Sequence, residues 1–341
     1  MVRDEALHGW VSALIRSRFG KEPHGLELTR SRIRVGLESP AVERIVTRYR
    51  DPRGRARSFR FIAKQLLGAA LREAHVYSKV VGPTRLAVAP DLLAVKAADE
   101  RAAILLLEDV RRVSAWPWRD IPTAHAVLQR LARFHERART SDCEMPLWDY
   151  ESELQASAQA TLEQLESLGC FPEYARLLRR TLRPLRRLTL SIPRHRERLL
   201  RFAPFGAGPI HGDVHPGNVL VRRRRGAHEP VLIDWARARV GSPLEDVSSW
   251  LQCLGYWEPQ ARRKHDTLLA GYLRSAEPNQ PLSSDLRGAY WVAAASNTLA
   301  GALRYYCWQA ASADSIARRN AAAHAVQDCL RVIVRADALS A

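Results

Sequence analysis

His211-Gly212-Asp213-Val214-His215-Pro216-Gly217-Asn218-Val219-Leu220 is followed, sixteen residues after Asn218, by Asp234 in Leu232-Ile233-Asp234-Trp235. Two short β-prone runs, Val219-Leu220-Val221 and Val231-Leu232-Ile233, lie between these polar groups. They are joined by Arg222-Arg223-Arg224-Arg225-Gly226, so the pattern predicts a hairpin. Asp213, Asn218 and Asp234 stand at its two mouths, and folding it back brings three oxygen-bearing side chains together. A small hard cation such as Mg²⁺ prefers oxygen ligands, retains water and borrows phosphate oxygens, so Asn218 with Asp234 makes a sensible partial shell for a metal-nucleotide. Asp213 is left for a different task, that of orienting an attacking hydroxyl and accepting its proton.

The spaced elements His-Gly-Asp-x-His-x-x-Asn-x-Leu, Ile-Asp-Trp and Gly241-Ser242-Pro243-Leu244-Glu245-Asp246 occur in order. Together they resemble the aminoglycoside phosphotransferase and choline kinase-like family of small-molecule kinases. Leu106-Leu107-Glu108-Asp109-Val110 is similar to that family's strand into the interlobe hinge, and Leu131-Ala132-Arg133-Phe134-His135 to the helix beneath its catalytic loop. The resemblance covers residues 25 to 330 and implies an α+β, protein-kinase-like bilobal fold. It implies a nucleotide-binding lobe over 1–109 and a catalytic, acceptor-binding helical lobe over 110–341.

It also implies roles. Asp213 corresponds to the catalytic carboxylate, and Asn218 and Asp234 to the metal ligands. Lys64 corresponds to the strand lysine that contacts the α and β phosphates, and Glu73 to its helix partner. Asp246 corresponds to the aspartate that braces the catalytic loop. Read from the residues themselves, without a further ligand cluster elsewhere, His211 and His215 are loop-bracing hydrogen bonders. Glu108 and Val110 lie where backbone groups meet the purine edge. The implied cofactors are ATP, with GTP still open as donor, and Mg²⁺. The implied acceptor is an alcohol on an amino sugar, antibiotic, amino alcohol or sugar.

Outward from the motif, strand-like runs occupy Leu26 to Leu37, Ile45 to Tyr49 and Phe59 to Lys64, with a hairpin turn at Asp51-Pro52-Arg53-Gly54. Apolar spacing predicts a helix from Leu71 to Val80 that stops before Gly82-Pro83. Ile104-Leu105-Leu106-Leu107 reads as a buried strand. Long helical periodicity then runs to about Leu190 and resumes from Glu245. Only nine residues separate Lys64 from Glu73, which makes the connection between strand and helix tight and the pairing looser than usual. The first turn, Glu38-Ser39-Pro40-Ala41, has no glycine, and Gly36 alone does not make a phosphate loop.

The 341 residues are 46% apolar and 26% charged, which excludes a disordered or fibrous chain. A net charge of +17 invites a nucleic-acid reading, but the excess is local: Arg176 to Arg225 holds 14 arginines against Glu197 and Asp213. Its Arg176 to Arg201 part reads as a solvated helix face, and no general nucleic-acid-binding surface is implied. Five scattered cysteines without a C-x-x-C pair fit a reducing compartment. With no signal-peptide pattern at the start and no run long enough to span a bilayer, the expectation is a cytoplasmic protein without membrane association.

Only twelve residues separate Asp234 from Asp246, too few for the peptide-docking segment of a protein kinase, so a diffusible acceptor is expected. From Gly241 onward nine acids face ten bases, which gives no acidic surplus for a polycation. The aromatics Trp250, Tyr256, Trp257, Tyr272, Tyr290, Trp291, Tyr305, Tyr306 and Trp308 fit either a stacking surface or core. Two other readings stay open at this level. One is a catalytically inactive, kinase-like nucleotide-binding protein. The other is a metal cluster of His211, Asp213 and His215.

Overall fold

Alternating apolar and polar residues build the first sheet, because successive strand side chains point to opposite faces. Its strands are β1 (His24–Ile33), β2 (Val42–Arg50), β3 (Ala56–Leu67), β4 (Leu92–Asp99) and β5 (Ala102–Glu108), antiparallel throughout in the order β1-β2-β3-β5-β4. The computed structural model describes residues 4–20, 22–33, 41–51, 53–99 and 101–340, so Gly36 and Glu38-Ser39-Pro40 lie outside the described residues. β5 is buried along nearly its whole length, as its unbroken apolar run requires. One face of the sheet packs on helix α1 (Asp4–Phe19) through Leu7, Val11 and Ile15 against Ile45, Phe61 and Leu106. In the β2–β3 connection, Asp51 Oδ1 accepts from the amides of Arg53 and Arg55 at 3.0 Å, and Gly54 takes φ +74°.

After β3 the chain winds through a 3₁₀ turn (Gly68–Leu71), α2 (Arg72–Val76), a π turn (Tyr77–Val81) and α3 (Gly82–Thr84). Gly82-Pro83 therefore does not end the helical run. Pro83 follows the π turn, whose closing bond is donated by the Gly82 amide to Tyr77 O, and the run ends at Arg85 in the left-handed conformation, φ +54°. β4 carries no turn or alternation signal in Leu92-Leu93-Ala94-Val95-Lys96-Ala97. Pairing with β5 makes it a strand.

The remaining elements are mainly helical. They are α4 (Ile121–Thr140), α5 (Tyr150–Leu168), α6 (Pro172–Leu200), α7 (Pro243–Trp257), α8 (Pro259–Arg263), α9 (His265–Ala276), α10 (Ser284–Asn297), α11 (Leu303–Ala311) and α12 (Ile316–Ser340). A large apolar cluster, including Leu154, Leu165, Leu185, Leu299, Leu303 and Leu330, joins α5, α6, α11 and α12. Short strands β6 (Gly208–Ile210) and β9 (Arg239–Gly241) pair antiparallel, and β7 (Val219–Arg224) pairs with β8 (Ala227–Leu232) in the expected hairpin.

The chain divides into two compact units, Met1–Val113 with Leu220–Arg237, and Ser114–Val219 with Ala238–Ala341. A division at 109/110 leaves the hairpin with the helices, whereas Leu220–Arg237 groups with the sheet. The Val113 amide donates to Val221 O and the Leu232 amide to Val88 O, each at 2.8 Å, and Arg222 Nη1 donates to both Glu108 oxygens at 3.0 Å. All five cysteines are free thiols. No helix among the described residues is long and apolar enough to cross a membrane.

Candidate active site

In the sheet unit, Lys64, Glu73 and Asp234 meet. Lys64 Nζ lies 2.6 Å from Glu73 Oε2 and donates to Asp234 Oδ1 at 2.8 Å. The nine-residue separation closes into this tight pair through the 3₁₀ turn Gly68–Leu71, which follows β3 directly and leads into α2, where Glu73 is the second residue. Burial disfavours the ammonium, but the two carboxylates outweigh it, and the Lys64 pKa stands above its ordinary value. Glu73 has no exposed surface, and its Oε1 accepts from the Trp235 amide at 3.3 Å. Asp234 holds φ +64°, a left-handed backbone that costs a non-glycine residue about 1–3 kcal/mol.

In the helical unit, Asp213, Asn218, His211, His215 and Asp246 form one loop system. Asn218 Nδ2 donates to Asp213 Oδ2 at 3.0 Å and to Asp213 O at 3.1 Å, which aims a carboxylate that keeps about two fifths of its surface open to solvent. Asp246 is fully buried on α7. It accepts from the His211 amide at 2.8 Å and the Gly212 amide at 2.7 Å, locking the peptide groups just before Asp213. Gly212 takes φ +80°, a conformation that favours glycine. The Asp213 amide donates to His211 Nδ1 at 3.3 Å and the Gly217 amide to His215 Nδ1 at 3.1 Å.

Sequence reasoning missed the third partner of Asp246. His135 Nε2, on α4, lies 3.0 Å from Asp246 Oδ2, and His135 Nδ1 lies 3.0 Å from the Tyr272 hydroxyl. Burial alone would raise the Asp246 pKa. The hydrogen bond to the His135 ring, the electrostatic influence of His135 and His211, and the His211 amide outweigh it and hold the carboxyl below its usual range. A histidine directly after Phe134 on the helix face of Leu128 and Leu131 was the available signal, since a buried imidazole needs partners for both nitrogens.

Asn218 Oδ1 and Asp234 Oδ2 accept no hydrogen bond among the described residues. Each, taken by itself, is a hard oxygen donor of the kind Mg²⁺ takes, so the chemistry of each residue suits the implied metal. The alternative cluster of His211, Asp213 and His215 does not form. Both histidine Nδ1 atoms are engaged with backbone amides, and no group of three or more His, Cys, Asp or Glu among the described residues is placed to hold a metal.

Glu108 ends β5, its amide donates to Asp91 O at 2.9 Å, and its side chain is tied to Arg222. Val110 follows as a buried residue in irregular backbone. The aromatic series divides: Trp250, Tyr272 and Tyr290 are core, whereas Trp257 and Trp308 are at least half exposed. Arg196 departs from the solvated face expected of the basic helix, being 2% exposed and paired with Glu245 and Glu151.

Residues 23–286 match the model of the phosphotransferase enzyme family (APH). No curated protein sequence matches the chain significantly. Among solved structures, it is similar to an amicoumacin kinase in complex with AMP-PNP and Ca²⁺, at 14% identity over 96% of this chain and 94% of that chain, TM-score 0.56. An aminoglycoside phosphotransferase from Alicyclobacillus acidocaldarius matches at 16% identity over 90% of each chain, TM-score 0.54. An ethanolamine kinase from Plasmodium vivax matches at 9% identity over 98% of this chain and 89% of that one, TM-score 0.53. These likenesses establish the fold as protein-kinase-like α+β.

Proposed function

The chain belongs to the phosphotransferase enzyme family, and from that premise we propose that it moves the γ-phosphoryl group of ATP, with Mg²⁺, onto a hydroxyl of a small molecule. The observation that carries this reading is the Asp213 carboxylate, about two fifths open to solvent and aimed by Asn218, on a loop whose peptide groups are locked by Asp246. Asp213 orients the acceptor hydroxyl and takes its proton as the acceptor oxygen bonds to phosphorus and the bond to the bridging oxygen of ADP breaks. Lys64, kept charged and in one rotamer by Glu73, binds the α and β phosphates. Asn218 and Asp234 hold the metal, which neutralises charge on the phosphates. Backbone groups at Glu108 and Val110 receive the purine, ATP being the proposed donor and GTP the open alternative. His211 and His215 brace the loop.

The acceptor class we propose is an alcohol on an amino sugar, amino alcohol, sugar or antibiotic, in line with the substrates named for the similar aminoglycoside, ethanolamine and amicoumacin kinases. Free thiols throughout fit a cytoplasmic site of action. Purified full-length chain with ATP and Mg²⁺ is expected to release ADP faster when a panel of such alcohols is added. Asp213→Asn is expected to lower the stimulated rate by roughly 10²–10⁴-fold. Unchanged turnover in Asp213→Asn removes Asp213 from the mechanism.

A further inference from the structure

Gly212, between His211 and Asp213, is held from both sides. Its amide donates to Asp246 Oδ1 at 2.7 Å, and its carbonyl accepts from Arg239 Nη1 at 3.0 Å. The first contact belongs to the sequence motif, whereas the second comes from a residue that no motif singles out. Arg239 opens β9, and its register partner in β6 is Ile210, the residue that leads directly into the loop.

Arg239 is 2% exposed, and a guanidinium there must be compensated. Its Nη2 lies 3.2 Å from Glu245 Oε2, and Glu245 is itself 1% exposed. Glu245 Oε1 also takes Arg196 Nε at 2.7 Å, and Arg196 reaches Glu151 at the solvent side. Both guanidinium groups lie over the Tyr150 ring, Arg239 at 3.9 Å and Arg196 at 4.7 Å from its centroid. Two cations are thus balanced by two carboxylates. Buried ion networks of this kind are weak sources of stability, because well-packed apolar residues often serve as well or better. What apolar residues lack is a planar fork that grips a carboxylate with one arm and a backbone carbonyl with the other.

We infer that Arg239 is a positioning residue for Asp213, fixing the Gly212–Asp213 peptide plane and with it the direction of the carboxylate. The inference rests on the reading of Asp213 as proton acceptor. Glu245 aims Arg239, and Arg196 completes the charge balance without touching the loop.

Arg239→Lys and Arg196→Lys in the full chain separate positioning from structure, since each keeps a cation beside Glu245 and only the first removes the arm to Gly212 O. Arg239→Lys is expected to lower kcat roughly 10- to 100-fold with nucleotide KM within about twofold. Its Asp213 amide is expected to exchange hydrogen at least about tenfold faster, as loss of a local restraint permits. Arg196→Lys is expected to lose comparable thermal stability while keeping kcat and Asp213 exchange within about twofold of the parent. Unaltered Asp213 exchange in Arg239→Lys, or equal kcat losses in the two variants, overturns the inference. Exchange is read without nucleotide or acceptor, so it judges the clamp by itself. Full turnover in Asp213→Asn sinks only the functional reading.

Discussion

Lys64 and Glu73 are joined by a 2.6 Å ion pair with Glu73 completely buried, although nine residues of chain separate them. Removing the cation leaves an uncompensated carboxylate in the interior, whose desolvation is no longer offset. Lys64→Met is therefore expected to lower unfolding stability by about 3–5 kcal/mol, measured in urea. Adding Glu73→Gln should restore part of that loss, because the stranded charge is gone. An unchanged urea midpoint in Lys64→Met contradicts the burial of the pair.

Asp246 makes stability depend on pH at the acid end. Its pKa is lower in the folded chain than the ordinary value of about 3.9. The unfolded chain binds the proton first, so the Asp246 contribution is complete above that value and is lost as pH falls through the depressed folded value. Acid titration of stability should accordingly fall below about pH 4 in the parent chain. Asp246→Asn should be less stable at pH 7, since an amide cannot accept from both the His211 and Gly212 amides as two carboxylate oxygens do. Its acid slope should be shallower. Equal slopes in the two proteins assign the acid limb to other carboxylates.

The sequence alone carried the motif loop, the hairpin and most of the first sheet, because turn residues and short apolar runs are local signals. β4 was not legible, since Leu92-Leu93-Ala94-Val95 has the same apolar run in a strand or a helix and only β5 decides between them. The burial of Arg196 was hidden within a basic stretch for the same reason. Its neighbours on α6 face water, and what draws it inside is Glu245, forty-nine residues further on. Gly82-Pro83 misled because a proline at the start of a helical turn and a proline after a helix look alike in sequence. Lys64 and Glu73 were placed by resemblance, while the turn that closes their pair is a feature of backbone geometry.

The segment after β5 offers a separable pair of tests. The Glu108 carboxylate receives both 3.0 Å contacts from Arg222 Nη1 and accepts from the Asp91 amide at 3.3 Å, so its side chain holds the hairpin and the strand end together. Glu108→Ala should cost about 1–2 kcal/mol of stability, softened by the Glu229 contact that Arg222 retains at 2.8 Å. Nucleotide affinity, measured by calorimetry, should change little if, as proposed, the purine is read by backbone groups. Val110→Pro deletes an amide donor and should weaken nucleotide binding by about 1–3 kcal/mol. Equal affinity losses in the two variants place the purine elsewhere.

Gly241 is demanded by space and not by backbone conformation. It is the last residue of β9 and opposes Gly208 in register. A Cβ at this position would lie 2.4 Å from Glu245 Oε2 and 2.4 Å from Ile210 Cδ1, well inside contact distance. Neither neighbour is free to withdraw. Glu245 is held by Arg196 and Arg239, and Ile210 is fully buried in β6 beside the loop that carries Asp213. Gly241→Ala is therefore expected to cost about 1–3 kcal/mol, the usual penalty for overpacking a closed interior. Removing a methyl group from one obstacle should relieve part of it, so the double variant Gly241→Ala with Ile210→Val should recover stability, while Ile210→Val alone should lose about 0.5–1.5 kcal/mol. The loss that remains in the double variant measures the contact with Glu245. Because that carboxylate aims Arg239 at Gly212 O, Gly241→Ala should also lower turnover at temperatures where the chain stays folded. Wild-type stability in Gly241→Ala, measured by urea unfolding, means that β9 shifts to admit the methyl group and that Glu245 is held less firmly than its two arginine contacts indicate.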